Sequence, residues 1–332
     1  MKLPRTGYLC HMPTLELFAS CFPPGVVNTI SGAGRSTMPS TMQSGKIDVF
    51  SFIGTNSAAN SLIKQHPAPH RLRICLGLDA KNPGIVLSSA ELQSTVNECV
   101  LGSLSYNGQR CTALKIIFVH KSIIKQFVPL FASAVDQLRI GLPWESGVNI
   151  TPLPEPEKPQ NCRDWIADAQ KYGAEIVNGN GGQFDRTMVS PTVLYPVTKQ
   201  MKIYHEEQFG PIVPIVEFTD KSEIINYLTE CQFGQQASIF STDVNEVSEL
   251  TDILVHQVSR VNINAQCQRG PDTFPFTGRK NSAAGTLSIS DALRVFSIRS
   301  IVTTKDNPVN RKLLTDVVQH NQSNFLRLDH IF

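Results

Sequence analysis

Residues 105–115 read Ser-Tyr-Asn-Gly-Gln-Arg-Cys-Thr-Ala-Leu-Lys, with Cys111 near their centre. A helix-like segment precedes them and the apolar run 116–119 follows, so the thiol lies at a helix-to-strand junction where it can face a cleft. Arg110 beside it favours the thiolate, because an adjacent cation stabilises the anion. A thiolate is a strong nucleophile near neutral pH. Local chemistry also leaves open a small, buried, unreactive cysteine, one of eight in the chain.

Four stretches occur in the order and spacing of a known family. The segment 107–112, Asn-Gly-Gln-Arg-Cys-Thr, resembles the nucleophile motif of the aldehyde dehydrogenase superfamily, and most closely its NADP-dependent, non-phosphorylating glyceraldehyde-3-phosphate dehydrogenase branch. The other stretches are Phe-Ile-Gly-Thr at 52–55, Glu-Glu-Gln-Phe-Gly-Pro at 206–211 and Arg-Gly-Pro-Asp-Thr-Phe-Pro-Phe at 269–276. The resemblance covers residues 2–305. Family chains are roughly half as long again, so we expect an N-terminal truncation.

The resemblance implies an α/β fold of the aldehyde dehydrogenase type. We expect residues 1–79 to be the remainder of a Rossmann-type dinucleotide-binding domain and residues 80–290 to be the α/β catalytic domain. Residues 291–305 resemble the strand through which family subunits pair, which predicts a homo-oligomer, a dimer or a tetramer. The tail, 306–332, is polar with scattered leucines and suggests no function.

The local sequence predicts individual elements consistent with α/β layering. Strands are expected at 26–30 and 47–53, and a helix is expected at 57–65. Ser-Ser-Ala-Glu at 88–91 predicts a capping box that opens a helix reaching Leu104. A further helix over 122–138 places three apolar side chains on one face: Phe127, Phe131 and Val135.

Composition excludes several classes of function. The 332 residues are 41% hydrophobic and 17% charged, as in soluble globular proteins, and the net charge of +2 gives no reason to expect nucleic acid or membrane partners. No apolar run approaches the ~20 residues that span a bilayer, and the N-terminus lacks a signal-peptide pattern. The scattered cysteines indicate reduced thiols and a cytoplasmic location. We predict no metal site.

Four residues are expected to bind the cofactor at its adenosine and pyrophosphate end. In the resembled family, the turn corresponding to Gly54 and Thr55 faces the pyrophosphate, and a helix N-terminus there offers free N–H groups. Lys2 corresponds to a lysine that contacts the adenosine ribose. Arg5 stands where NAD-preferring members often carry a glutamate, and a cation there suits a 2′-phosphate. This favours NADP over NAD, although a solvated arginine remains an alternative.

The resemblance also assigns residues near the reacting groups. Glu207 corresponds to the glutamate that binds the nicotinamide ribose, and Phe209 to the phenylalanine beside the nicotinamide ring. Arg110 and Arg269 correspond to arginines that hold the phosphate of glyceraldehyde 3-phosphate. Bidentate guanidinium groups suit a phosphate dianion. The alternative for each arginine is a surface ion pair.

One position departs from the family pattern. Residues 77–81 read Gly-Leu-Asp-Ala-Lys, where the family has Glu-Leu-Gly-Gly-Lys, and that glutamate activates the hydrolytic water. Gly77 has no side chain to accept a proton. Asp79 lies two residues further on, on the same face of a strand, and is the predicted substitute base, acting through a bridging water. The asparagine that completes the family's oxyanion hole belongs to a motif upstream of Met1.

Three hypotheses follow. In the first, the chain oxidises a small aldehyde, glyceraldehyde 3-phosphate or a related short phosphorylated aldehyde, to the carboxylic acid with NADP through a Cys111 thioester. In the second, it is a truncated and catalytically impaired relative that acts as a subunit or interaction protein. In the third, the thioester passes to coenzyme A or phosphate because no base activates water.

Overall fold

The computed structural model describes residues 1–326, which begin with a large compact unit, Met1–Val295, and continue into a second unit that starts at Phe296. The helices are α1 (Tyr8–Cys21), α2 (Gly34–Gln43), α3 (Asn56–Gln65), α4 (Leu92–Leu104), α5 (Ile124–Asp136), α6 (Lys158–Lys171), α7 (Lys202–His205), α8 (Lys221–Glu230), α9 (Val244–Leu254), α10 (Ile289–Val295) and α11 (Pro308–Gln319). The strands are β1 (Val49–Ile53), β2 (Arg73–Gly77), β3 (Asn82–Val86), β4 (Leu114–His120), β5 (Glu175–Ile176), β6 (Phe184–Asp185), β7 (Met188–Val189), β8 (Thr192–Tyr195), β9 (Ile212–Phe218), β10 (Phe233–Gly234), β11 (Gln236–Phe240), β12 (Arg260–Ile263), β13 (Arg279–Lys280) and β14 (Ala283–Ala284).

The main sheet has seven strands in the order β12-β11-β3-β4-β9-β8-β5. Its neighbours are parallel, apart from the antiparallel pair β5 and β8. Parallel strands covered on both faces read as continuous apolar runs. In β4, Ile116 and Phe118 enter the core beneath α6, α8 and α9, whereas Ile117 and Val119 enter the core beneath α4 and α5. The strand that follows the Cys111 loop is therefore fixed on both faces.

The helices beside this sheet largely follow the predictions. The predicted apolar face of α5 is confirmed, since Phe127, Phe131 and Val135 are buried. Helix α4 ends at Leu104 as expected, but the predicted capping box is wrong. The N-cap is Glu91, whose own carboxylate accepts the N–H groups of residues 93 and 94. One side chain thus satisfies donors that the box would have shared between two residues.

The smaller sheet has the order β1-β2-β14, with β1 and β2 parallel. Strand β1 and helix α3 lie where the sequence predicted them. The predicted strand at 26–30 is wrong: Ile30 forms only an isolated bridge with Lys2, through hydrogen bonds to Met1 and Leu3. A strand needs a paired neighbour along its length, and the described residues pair the segment 26–30 only at this bridge.

The predicted boundary at residue 79 is not tested by this architecture. Strand β14 lies within the segment predicted to be catalytic, yet it pairs with β2, which lies within the segment predicted to bind the cofactor. The assignment of residues 1–79 and 80–290 to two domains therefore stays a prediction.

The second unit contains α11, whose N-cap Asn307 accepts the N–H of Asn310. An ion pair joins Asp306 and Arg311 beside this cap. Residues 297–306 have no regular secondary structure in the single chain, so a strand that pairs between subunits stays a prediction. The last six residues of the predicted tail, 327–332, lie outside the described residues. Across residues 1–326, no helix is long and apolar enough to cross a membrane.

Candidate active site

A left-handed backbone segment delivers the Cys111 loop from the end of α4. Tyr106, Asn107 and Gly108 have φ angles of 54°, 60° and 67°. The Asn107 side chain holds this segment by accepting the backbone N–H of Thr151 at 2.9 Å and donating to its hydroxyl at 3.1 Å. Gly108 is required by space as well as by φ, because a Cβ atom there would lie 2.6 Å from the carbonyl oxygen of Gly210. The loop is thereby packed against the segment that follows Glu207.

Cys111 lies in a turn that spans 110–113. The N–H of Ala113 donates to the carbonyl of Arg110 at 3.2 Å and closes the turn. The Cys111 thiol is free and partly exposed, unlike four buried thiols elsewhere in the chain, whose pKa values burial raises: Cys75, Cys99, Cys162 and Cys267. Of the two interpretations that local chemistry left open, the partly exposed position favours the one in which Cys111 faces a cleft.

A buried ion pair lies behind this turn. The Lys115 ammonium is 3.6 Å from Glu207 Oε1 and donates to the carbonyls of Gly108 and Gln208 at 2.9 and 3.2 Å. Burial lowers the pKa of Lys115, while Glu207 and then Cys111 act in the opposite direction. The cation is therefore within electrostatic reach of both the carboxylate and the thiol.

Glu207 presents an acceptor that the fold leaves unused. Burial raises its pKa to about 7, against the opposing effect of Lys115, and Asp79 raises it further. Among the described residues, Oε1 accepts no hydrogen bond, since its contact with Lys115 is an ion pair beyond hydrogen-bond distance. A buried acceptor without a donor costs free energy, so this atom fits a ligand hydroxyl such as that of a ribose.

The side chain of Asp79, the predicted substitute base, contacts the start of α3. Asp79 Oδ2 accepts the backbone N–H of Asn56 at 2.7 Å. Thr55 is the N-cap of the same helix and accepts the N–H of Ala58 at 3.2 Å. The N–H of Gly54 donates to the carbonyl of Gly77, which joins this turn to β2. The Asp79 carboxylate thus occupies one of the amides that the resemblance assigned to the cofactor pyrophosphate.

The space at Gly77 is partly filled by another side chain. A Cβ atom built on Gly77 would lie 2.8 Å from Leu287 Cδ1. Leu287 therefore occupies room that a longer residue would need in this position.

The other predicted cofactor residues are spread over the molecule. Lys2 takes part in the backbone bridge to Ile30. Arg5 is exposed and lies 3.7 Å from Glu157 in a surface ion pair, which the sequence did not predict. The Phe209 ring lies 4.6 Å from the Lys115 ammonium, so it joins the buried ion pair.

The two predicted substrate arginines have different surroundings. Arg110 donates to the Gln266 side chain at 3.3 Å, and its buried Nε donates to no described residue. Arg269 is half exposed, with its Nε 3.6 Å from Asp272 and its guanidinium 5.1 Å from the centre of the Phe276 ring. Arg110 thus keeps an unused donor, whereas Arg269 is already paired at the surface.

The sequence analysis did not predict the two buried lysines, Lys81 and Lys115, that pack behind the Cys111 loop. Lys81 is buried and donates to the carbonyl of Ile203 at 2.6 Å and to the Gln208 side chain at 2.5 Å. Lys115 stands alone in an apolar strand. A lysine inside such a run is a signal, because a buried ammonium needs acceptors or a counter-ion.

Comparison with known proteins identifies related chains. An NADP-dependent glyceraldehyde-3-phosphate dehydrogenase from Streptococcus equinus is 32% identical over 308 residues, which cover 92% of this chain and 62% of the relative. The Arabidopsis thaliana protein of the same name is 28% identical over 300 residues, which cover 90% of this chain and 58% of the relative. The chain therefore spans about three fifths of the length of these curated relatives.

Solved structures agree with these relatives. The chain matches an NADP-dependent glyceraldehyde-3-phosphate dehydrogenase from Bacillus halodurans C-125, complexed with NADP, with a TM-score of 0.82 and 33% identity over 88% of this chain and 60% of that one. A glyceraldehyde-3-phosphate dehydrogenase from Methanocaldococcus jannaschii, also complexed with NADP, gives a TM-score of 0.79 at 27% identity, over 85% of this chain and 60% of that one. The predicted α/β fold class is confirmed. The model of the aldehyde dehydrogenase family matches residues 1–302, and the chain belongs to this family.

Proposed function

We propose that this chain is the nucleophile-bearing part of an NADP-dependent dehydrogenase that oxidises a short phosphorylated aldehyde, glyceraldehyde 3-phosphate, to its carboxylic acid. One observation carries the proposal. A partly exposed cysteine lies in a fixed turn within electrostatic reach of a buried lysine, which in turn pairs with a carboxylate that has an unused acceptor atom.

Cys111 is the nucleophile in the first step. Its thiolate sulfur forms a bond to the aldehyde carbonyl carbon, the carbon–oxygen π bond breaks, and the oxygen takes up the negative charge of a hemithioacetal. The buried Lys115 ammonium donates to the carbonyl of Gly108 and so holds the loop that carries the sulfur. The turn at 110–113 keeps the sulfur at the cleft rather than in the core.

NADP binding is proposed to use the unpaired acceptor of Glu207. The Oε1 atom of this carboxylate accepts a hydrogen bond from a hydroxyl of the nicotinamide ribose, and the Lys115 ammonium, 3.6 Å from the same oxygen, helps to hold the carboxylate in place. When bound, NADP supplies the acceptor for the hydride that leaves the hemithioacetal carbon, so that Cys111 carries a thioester. Gly54 and Thr55 remain the proposed contacts of the pyrophosphate, and Lys2 and Arg5 those of the adenosine end. NAD is the alternative cofactor.

The proposed substrate phosphate lies near Arg110 and Arg269. The buried Nε of Arg110 donates to none of the described residues and has an anion as its natural partner. The surface pair between Arg269 and Asp272 is exposed, so its exchange for a phosphate costs little. The relatives' names, which specify glyceraldehyde 3-phosphate, support the same substrate class.

Release of the acid requires a base that activates water. Water must attack the thioester carbon and lose a proton, and the sulfur must depart as thiolate. Gly77 offers no acceptor, and the Asp79 carboxylate is engaged with the N–H of Asn56. This observation favours a second candidate function, in which the chain forms the thioester but hydrolyses it poorly. Such a chain acts as an impaired subunit, or passes the acyl group to coenzyme A or phosphate.

The test follows NADPH absorbance with NADP and glyceraldehyde 3-phosphate. The variant Cys111→Ser removes the nucleophile, and Cys231→Ser is the matched control, because Cys231 is also partly exposed but lies at the end of α8 and outside the Cys111 turn. Sustained NADPH production that only Cys111→Ser abolishes establishes the dehydrogenase. A burst of about one equivalent identifies thioester formation without hydrolysis. Continued production on adding coenzyme A or phosphate identifies acyl transfer. A folded wild-type chain that forms no NADPH contradicts the proposal.

We also propose that the assembled protein is a cytoplasmic homo-oligomer. Ile298, Ile301 and Val302, in the segment predicted to pair between subunits, are 78%, 84% and 54% exposed in the single chain. Apolar side chains exposed together are typical of a surface that another chain covers.

A further inference from the structure

A β-bulge lies directly beneath the Cys111 turn. Asn82 pairs with Leu114, but the next residue of β3, Pro83, pairs with Ile116, so Lys115 is the extra residue between the two strands. A bulge of this kind redirects side chains locally. Here the two residues on either side of the irregularity both reach the loop, since Lys115 bonds the carbonyl of Gly108 and Asn82 bonds the turn itself.

The side chain of Asn82 connects three segments of backbone. Its Nδ2 donates to the carbonyl of Cys111 at 2.8 Å and to the carbonyl of Ala113 at 3.0 Å. Its Oδ1 accepts the backbone N–H of Gln236, in the neighbouring strand β11, at 3.0 Å. The Gln236 N–H can only donate, and this fixes which end of the amide faces the turn. Asn82 is almost fully buried, with 1% of its surface exposed.

We propose that Asn82 is a positioning residue for the Cys111 nucleophile, an inference that rests on the proposed function of Cys111. The backbone bond from Ala113 to Arg110 closes the turn but leaves the Cys111 carbonyl free to rotate. Asn82 removes that freedom by holding the carbonyls of Cys111 and Ala113 with two hydrogens of one amide group. The peptide plane that follows Cys111 and the plane that follows Ala113 are then fixed relative to the central sheet, and the bond from Ala113 to Arg110 holds the plane before Cys111.

The chemistry of the amide explains why this residue is suited to the position. Two carbonyl oxygens and one N–H face it, so it must donate twice and accept once. Asparagine does so without adding charge next to a thiolate. An aspartate has the same shape, but it faces the two carbonyls with oxygen atoms and places a negative charge beside the thiol. A serine keeps one donor and no charge.

The experiment measures the alkylation rate of every cysteine by iodoacetamide, across neutral and mildly alkaline pH, with peptide mass spectrometry. We compare wild type with Asn82→Asp and Asn82→Ser. Asn262→Asp is the matched control, because Asn262 is also buried in the main sheet and donates to the carbonyl of Ala237, but makes no hydrogen bond to the Cys111 turn. Asn262 also contacts the Cys267 thiol, so in this variant only Cys75, Cys99 and Cys162 report on the core. The chain contains its own references: exposed Cys10 and Cys21 report reagent activity, and the four buried cysteines report loosening of the core.

For Asn82→Asp we expect Cys111 alkylation to slow about tenfold, the effect of losing two hydrogen bonds, and its midpoint to move to higher pH. Asn82→Ser should slow it less without moving the midpoint, and the buried cysteines should stay protected in both variants. Where NADPH production is measurable, kcat should fall while the KM for the aldehyde stays near that of wild type.

Two results would overturn the inference. The first is a Cys111 rate and midpoint that Asn82→Asp leaves unchanged while the core cysteines remain protected. The second is general exposure of the core cysteines in both Asn82 variants, which would make the effect structural. Alkylation needs neither aldehyde nor NADP, so the outcome for Asn82 is separate from failure of the proposed activity. If the enzyme is active but substitution of Asn82 does not change the rate of Cys111 alkylation, only the positioning role of Asn82 is rejected.

Discussion

Helices α1 and α5 show how differently two regions of the molecule are held. They are similar in length, but α5 buries six side chains against the main sheet and α1 buries none. In α1, Leu9 and Leu17 are 81% and 57% exposed. The strands differ in the same way, since β4 is paired on both sides by β3 and β9, whereas β1 pairs with β2 along one edge.

This difference in packing distinguishes the region that holds Cys111 from the region proposed to bind the adenosine and pyrophosphate end of the cofactor. The Cys111 loop is supported within this chain by packing, a buried ion pair and amide side chains. The region that the resemblance assigns to the dinucleotide, residues 1–79, exposes apolar side chains such as those of Leu9 and Leu17. Positioning of the thiol and binding of the adenosine and pyrophosphate end of the cofactor are therefore expected to respond to different substitutions.

The largest difference in the free energy of unfolding is expected when a phenylalanine is replaced by alanine in each of the two regions. Phe131→Ala removes a fully buried ring from α5 and should lower the free energy of unfolding by about 3–5 kcal/mol. Phe22→Ala, at the end of α1, removes a ring that is 45% exposed and should change it by no more than about 0.5 kcal/mol. Urea unfolding followed by circular dichroism measures both. Similar losses would mean that α1 is packed as firmly as α5.

Restoring the missing acceptor should have an effect of similar size on catalysis. Gly77→Glu places a carboxylate where the family has its base, and Leu287→Ala removes the side chain that a Cβ atom at 77 would meet at 2.8 Å. The double variant should hydrolyse the thioester about 100–10,000-fold faster, the usual range for a general base. Leu287→Ala alone is the control. The measurement is NADPH production after the first equivalent, and an unchanged rate would show that the base is not what limits acid release.

A smaller effect is expected from pH. Glu207, with a pKa of about 7, accepts a ribose hydroxyl best when ionised, so NADP affinity should rise about tenfold as pH increases through that value and then level off. Glu207→Gln should remove this rise while keeping any titration of the NADP phosphate. Lys115→Met should move the midpoint upward, because Lys115 lowers the pKa of Glu207. Quenching of the intrinsic tryptophan fluorescence by NADP, measured at several pH values, tests this. A rise in NADP affinity with pH that persists in Glu207→Gln would exclude Glu207 as the ribose ligand.

The sequence predicted those parts of the site that depend on local pattern. The motif around Cys111, the helix that precedes it and the apolar strand that follows are contiguous, so periodicity and resemblance reveal them together. The support from Asn82 was not predicted, because it depends on a bulge between two strands whose residues are far apart in sequence. The surface pair of Arg5 with Glu157 was missed for the same reason, since tertiary contacts choose the partner of an exposed arginine.

The smallest effect is expected at Asp79, where the sequence suggested a base and the structure shows a hydrogen bond to the start of α3. A carboxylate at a helix N-terminus contributes about 0.3–1 kcal/mol, so Asp79→Asn should lower the free energy of unfolding by this amount. It should also lower the pKa of Glu207, which Asp79 raises, and so shift the pH midpoint of NADP binding downward.

Asp220→Asn is the matched control for Asp79→Asn, because Asp220 caps α8 through the N–H of Ser222. Both variants should lose similar stability in urea, but only Asp79→Asn should move the NADP midpoint. If Asp79→Asn instead keeps the first equivalent of NADPH and loses all later production, Asp79 is the base. In that case the hydrogen bond between Asp79 and Asn56 breaks during turnover. The segment beside α3, which the resemblance assigns to the cofactor, then supplies the base for thioester hydrolysis.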